Sequence, residues 1–141
     1  MIARRVHNHV MESVLALLRG DANLSGVTVV GQDEQELSAI IQTEEAKLDG
    51  LVVVVTVDTV AKRHSKPATW DVHFTASVTE VVPVNRENDG YLSAIDVAME
   101  CGEAIDAAGI GHFDSLRHTT PGDGVLNAVA ECSGQLVLKA Q

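Results

Sequence analysis

Aromatic side chains are scarce in this sequence: Trp70, Phe74, Tyr91 and Phe113 are the only ones. Because 45% of the residues are hydrophobic, a core must be built mainly from Val, Leu, Ile and Ala. The Val-rich runs at 51–57 and 72–84 point to sheet. Cysteine is also scarce. Cys101 and Cys132 form no C-x-x-C pair, which reads as free thiols of a cytosolic protein. No run approaches the ~20 apolar residues that span a bilayer. Met1 to His9 carries Arg4 and Arg5 but no apolar region behind them, so no signal peptide is expected. Basic residues are few, with 10 Lys and Arg against 20 Asp and Glu and a formal net charge of −10. Binding phosphates needs Lys and Arg, so this balance argues against nucleic acid as a direct ligand.

What is present suits one domain over residues 1–141. A chain of this length buries roughly 70% of its unfolded surface without a metal or disulfide staple. Val6, Val10, Val14 and Leu17, with Met11, Leu15 and Leu18, give a helical stripe over Ile2–Arg19. Arg19 complements the last turn, and Gly20 is expected to stop the helix in a left-handed conformation. Short strands are expected at Val27–Val30 and Ser38–Thr43. An Asp49-Gly50 turn then leads into a strand over Leu51–Val60, covered on both faces at its start. After a loop at 61–68, the alternation of Trp70, Val72, Phe74, Ala76, Val78 and Val82 predicts a strand over Thr69–Val84. Asp71, His73, Thr75, Ser77 and Thr79 occupy its other face, and Glu80 is the exception to the apolar parity. The two runs pair as a long hairpin.

A polar turn at 85–90 precedes a second helix over Tyr91–Ala108, with Ile95, Ala98, Met99, Gly102 and Ile105 as its apolar face. Gly109-Ile110-Gly111 ends it. A weak strand at Ser115–Thr119, a turn at 121–124 and a strand or bulged pair over Val125–Ala140 close the chain, with Gly134 marking a bulge or bend. The fold class is α+β: an N-terminal helix, a mostly antiparallel sheet with a long β-hairpin, and a second helix packed on the sheet.

The chemistry-bearing residues do not converge in the sequence. His7 and His9 point about 200° apart on a helix, and His64, His73, His112 and His118 fall in separate segments, so no metal site is expected. There is no nucleophile elbow, and Cys101 lies mid-helix beside Gly102, where a thiol is packed rather than activated. The Gly109-Ile110-Gly111 piece follows a helix instead of opening one, the wrong geometry for cradling phosphate. No catalytic or cofactor-binding residue is identified.

Charge is segregated instead. Asp96, Glu100 and Glu103 form one helix ridge, with Asp106 beside it, and no Lys relieves their repulsion. Lys62, Arg63 and Lys66 cluster at the hairpin loop. Each group reads either as a solvated surface or as an interface: the basic tip against the acidic ridge, or against Asp33, Glu34 and Glu36, of a neighbouring copy.

The helix with Val10-Met11-Glu12-Ser13-Val14-Leu15-Ala16-Leu17-Leu18, followed by Leu24-Ser25-Gly26-Val27-Thr28-Val29-Val30, resembles the opening of phage tail terminator and tail completion proteins. Those proteins continue with a hairpin similar to 51–84, a helix similar to 91–108 and closing strands. The resemblance covers most of the chain as architecture, without a signature motif. It implies a structural protein of virion assembly rather than an enzyme. Its copies would form a cyclic homo-oligomer, usually of six subunits, that caps the tail tube and joins it to the head connector. Its partners would be itself, the tail tube protein and the head–tail connector protein, with no cofactor and no membrane. It would be assembled in the host cytoplasm and reside in the virion tail or neck. A neck or head-completion connector is the nearest alternative. A small α+β enzyme or a ligand-binding module stands further off.

Overall fold

A computed structural model describes residues 2–32, 50–87, 91–119 and 124–137, with side chains from Arg5 onward. The strand expected at Ser38–Thr43 and the acidic loop Asp33, Glu34 and Glu36 lie outside these residues. Helix α1 covers Ile2–Arg19 and buries Val6, Val10, Met11, Val14, Leu15 and Leu18, the stripe read from the sequence. Gly20 does not end it in a left-handed conformation, since the positive-φ glycines are Gly26, Gly50, Gly109 and Gly124. The chain turns instead into a single 3-10 turn, Ala22–Leu24, whose entry the Asp21 side chain caps by accepting from Asn23 N. The Arg19 guanidinium reaches across to the Val29 carbonyl at 2.9 Å, tying helix end to first strand.

The strands are β1 (Thr28–Gly31), β2 (Leu51–Lys62), β3 (Thr69–Val81), β4 (His112–Thr119) and β5 (Val125–Val137). They form one sheet in the order β1-β2-β3-β5-β4. Only β1 and β2 run parallel; every other neighbouring pair is antiparallel. The hairpin register sets Val53, Val55 and Val57 beside Val78, Ala76 and Phe74. All six are buried, as are Ala128, Ala130 and Cys132 of β5, so one face of the sheet carries the core. The opposite parity of β3 is more open, with His73 exposed and Asp71 and Thr75 half-buried. Leu51, Val52 and Val53 are all buried, so the start of β2 is covered on both faces. Trp70, expected inside, is only half-buried, because it sits at the hairpin-tip end of the sheet beside Leu136.

Strand β3 stops at Val81 rather than Val84. Pro83 falls in the first turn of a short helix, α2 (Val82–Asn85), where its missing N–H costs nothing. The second long helix, α3, runs Ala94–Ala107, three residues later than Tyr91. Ser93 and Asp96 form a capping box at its start, and this box sets the boundary. The buried face is Ala94, Val97, Ala98, Cys101, Gly102 and Ile105. Ile95 lies at its margin and Met99 is exposed, because small residues let the helix settle closer on the sheet at a rotated angle. Gly102 makes this possible: a Cβ there would stand 2.5 Å from the Phe113 ring.

Strand β4 begins at His112, ahead of the expected Ser115. Strand β5 is one continuous strand through Gly134, which pairs with Val72 without a register shift. Gly134 marks a close approach, not a bulge, since a Cβ would meet the Ile110 carbonyl at 3.0 Å. The bulges fall elsewhere, at Asp58 in β2 and Asp114 in β4. Helix α1 lies over β1 and β2, and α3 over β3, β5 and β4.

Phe74 is 1% exposed at the centre of this layer. Its truncation to Ala should cost about 3–5 kcal/mol in equilibrium urea unfolding of the full chain. A loss below about 1 kcal/mol would contradict this placement of the core.

Candidate functional site

The most completely partnered polar group is one that the sequence marked only as a break in pattern. Glu80 ends the apolar parity of β3 and is fully buried. Its Oε1 accepts from Ala94 N at 2.9 Å. Its Oε2 accepts from Asn85 Nδ2 at 2.8 Å and from Tyr91 OH at 3.1 Å. One carboxylate thus joins the end of β3, α2, the segment before α3 and the first N–H of α3, where a helix dipole favours negative charge. Asn85 is buried and also donates to the Leu92 carbonyl at 2.8 Å. Burial, then the Glu80 charge, raise the Tyr91 hydroxyl above its ordinary pKa. These are the relations of a structural anchor: every neighbour is a donor, and a buried charge fully supplied with donors is held in place.

The basic loop stands at the far end of the sheet. Arg63 pairs with Asp71 through Nε at 3.2 Å, and with the Gln135 amide turned so that its oxygen faces the guanidinium, both Nη atoms donate to it at 3.1 Å. Lys62 and Lys66 are exposed, with no ion pair among the described residues. The acidic ridge is also divided. Asp96 is engaged by the Ser93 backbone N–H at 3.1 Å, and Asp106 accepts from Phe113 N at 3.1 Å. Glu103 is exposed. Glu100 turns toward the 3-10 turn, where Asn23 Nδ2 donates to it at 3.4 Å. Its pKa is raised, first by a hydrogen bond shared with Asp21 and then by burial. Asp21 Oδ2 is buried with no donor among the described residues. Within one copy the fold keeps the basic tip and Asp96 apart, because Asp96 lies at the Glu80 end of the sheet.

A cleft of about 740 Å³ opens beside the tip, lined by Arg63, Asp71, His73, Asp106, His112 and Gln135 among others. It brings His73 and His112 to either side of Ser133, an adjacency across three strands that sequence spacing does not reveal. A smaller hollow of about 230 Å³ gathers Asp58, His73, Asp114 and Glu131. Burial, then the charge of Glu131, raise Asp58 above its ordinary value. Glu131 is itself held by Arg117 Nε at 3.0 Å and Ser115 Oγ at 2.8 Å. Among the described residues, no three His, Cys, Asp or Glu side chains stand together as a group that could hold a metal. Cys101 and Cys132 are buried free thiols, and burial pushes both up to about 12, far from a thiolate nucleophile at neutral pH. No helix among the described residues is long and apolar enough to cross a membrane. No protein-family model matches the chain, and no curated protein matches it.

Two outcomes follow from these groups. Glu80→Leu strands buried donors and should destabilise the fold by about 3 kcal/mol or more, while Tyr91→Phe should cost about 1 kcal/mol; equal effects in urea unfolding would contradict the anchor. Glu100 has a raised folded-state pKa, so it binds its proton more tightly in the fold and opposes folding as pH rises through the raised value. Glu100→Gln should therefore raise the melting temperature at pH 7. That advantage should vanish below the ordinary carboxylate range, and a pH-independent difference would contradict the raised value.

Proposed function

We propose that this chain is a structural assembly subunit that works by associating with further copies of itself, as a phage tail terminator or tail completion protein does. In this reading a cyclic homo-oligomer, six-membered by the resemblance, closes the tail tube and presents a face to the head connector in the virion.

The observation that carries the reading is the one-sided sheet. Both long helices lie on one face, and no described element covers most of the other. There Val54, Thr56, Thr75, Ser77, Thr79, Asn127 and Val129 form a half-buried surface made largely of small and β-branched side chains. A face of that composition is suited to contact with another protein surface. The exposed hairpin tip with Lys62 and Lys66, and the exposed Glu103, supply opposite charges on different parts of the molecule. This suits a head-to-tail contact, in which each copy uses two different patches. Exposed pairs are individually worth under about 1 kcal/mol and are screened by salt, so they direct the contact rather than hold it.

The cleft beside the tip favours a second reading, a binding module for a small polar ligand, in which the protein would act without assembling.

The two are separated by the mass of the purified full chain in multi-angle light scattering over a range of concentrations. A single closed oligomer, weakened by Lys62→Glu and Lys66→Glu together without loss of melting temperature, is the expected result. A monomer at every concentration would contradict the assembly reading.

A further inference from the structure

Among the described residues, the two lateral ends of the sheet are open in complementary ways. At one end, β1 pairs with β2 only through Val55. Beyond it the Gln32 side chain accepts from Val57 N, and no described strand pairs with this side of β2. Asp58, Thr59, Ala61 and Lys62 are exposed there and Val60 is half-buried. At the other end, β4 pairs with β5 alone among the described strands. All of β4 is exposed except the half-buried Phe113 and Leu116. Unpaired edges of this kind carry free N–H and C=O groups ready to accept another strand.

We infer that the outer edge of β4 in one copy adds to the edge of β2 at 58–62 in the next, which no described strand occupies, extending the sheet from subunit to subunit. This rests on the assembly reading above and names its contact. Strand direction favours it. Strand β2 is antiparallel to β3, β3 to β5 and β5 to β4, so β4 runs opposite to β2. A neighbour displaced sideways, with its helices on the same face, therefore presents β4 antiparallel to β2. Length fits as well: β4 has 8 residues, and with Leu116 opposite Val60 and Arg117 opposite both Thr59 and the bulged Asp58, Thr119 falls level with Thr56, just past the last β1 pairing at Val55.

That register also matches side chains. Val60 pairs with Val72 and Leu116 with Ala130; Val72 and Ala130 both face the core, so Val60 and Leu116 meet on the helix-covered face. Ala61 and Ser115 meet on the other face, where Arg117 comes beside Thr59 and Asp58. Lys62 falls level with Asp114. Sliding the register by one residue would set Leu116 against the outward face. The bulges at Asp58 and Asp114 disfavour pairing with unrelated edges, a common protection for exposed strands. Because the β2 edge and the β4 edge are different surfaces at opposite ends of the sheet, the contact is heterologous and generates a ring where its rotation closes.

The test places cysteines at Ala61→Cys and Ser115→Cys in the same full-length chain, both on exposed positions. The native thiols stay out of the reaction, since both are buried. Under mild oxidation, a non-reducing gel should show a ladder of linked copies ending at one size, and neither single variant should give it. In a second arm, Lys62→Glu should weaken association about fivefold, and adding Asp114→Lys should restore it, as expected for one exposed pair. Light scattering of the same preparations separates the two ideas. Oligomers without cross-links and without charge-swap rescue overturn the strand addition and leave the assembly reading standing. A chain that never associates overturns both.

Discussion

Glu80 fixes where α3 can lie. Its carboxylate takes the first N–H of the helix, the amide of Asn85 and the hydroxyl of Tyr91, so the helix entrance is bound to the last turn of β3. From that point α3 can run only back along the sheet, over β3, β5 and β4. Gly102 lets it sit close enough for the Phe113 ring to fill the space beneath. Helix α1 takes the remaining width over β1 and β2, held by Arg19 on the Val29 carbonyl. With both helices committed to one face, most of the other face and both lateral edges of the sheet face outward among the described residues. A buried charge in this position contributes geometry more than net stability, since its desolvation offsets much of what its hydrogen bonds return.

A net charge of −10 sets the terms on which copies could meet. Like charges on adjacent subunits oppose closure, and some of the described acids are already engaged inside the subunit. Asp71 holds Arg63, Glu131 holds Arg117, Asp96 caps α3, and Asp106 accepts from Phe113 N. Among the described residues the outward charges are of both signs, Lys62 and Lys66 against Glu12, Asp58, Glu103 and Asp114. Surface pairs of this kind set register and partner more than affinity. Backbone hydrogen bonding along a strand edge, with apolar contacts such as Val60 and Leu116, would have to hold the assembly together.

The sequence made the regular parts of the fold readable. Helix α1, the hairpin and the inward parity of β3 follow from periodicity, because each has one face on the core and repeats long enough to show it. The boundaries of α3 were less readable. Its buried stripe uses Ala94, Ala98 and Gly102, which carry almost no hydrophobic signal, and the Ser93–Asp96 capping box was the mark that could have placed its start. Pro83 could have ended β3, since proline removes a strand hydrogen bond. Glu80 was visible as an oddity, yet its donors come from three segments that only the fold brings together. The same holds for His73 and His112 around Ser133, and for the facing edges of β2 and β4. These depend on strand order, and β4 lies outside β5 for reasons no local pattern records.

Hydrogen–deuterium exchange of the full chain across a concentration series tests the central claim most directly. If copies join through their sheet edges, the outward-pointing amides of residues 58–62 and 112–119, those not bonded to β3 or β5, should exchange freely in dilute solution. They should become protected together as the protein associates, while the β3 and β5 amides stay protected throughout. Exchange at both edges that does not change with concentration, in a sample whose mass shows association, would contradict the account.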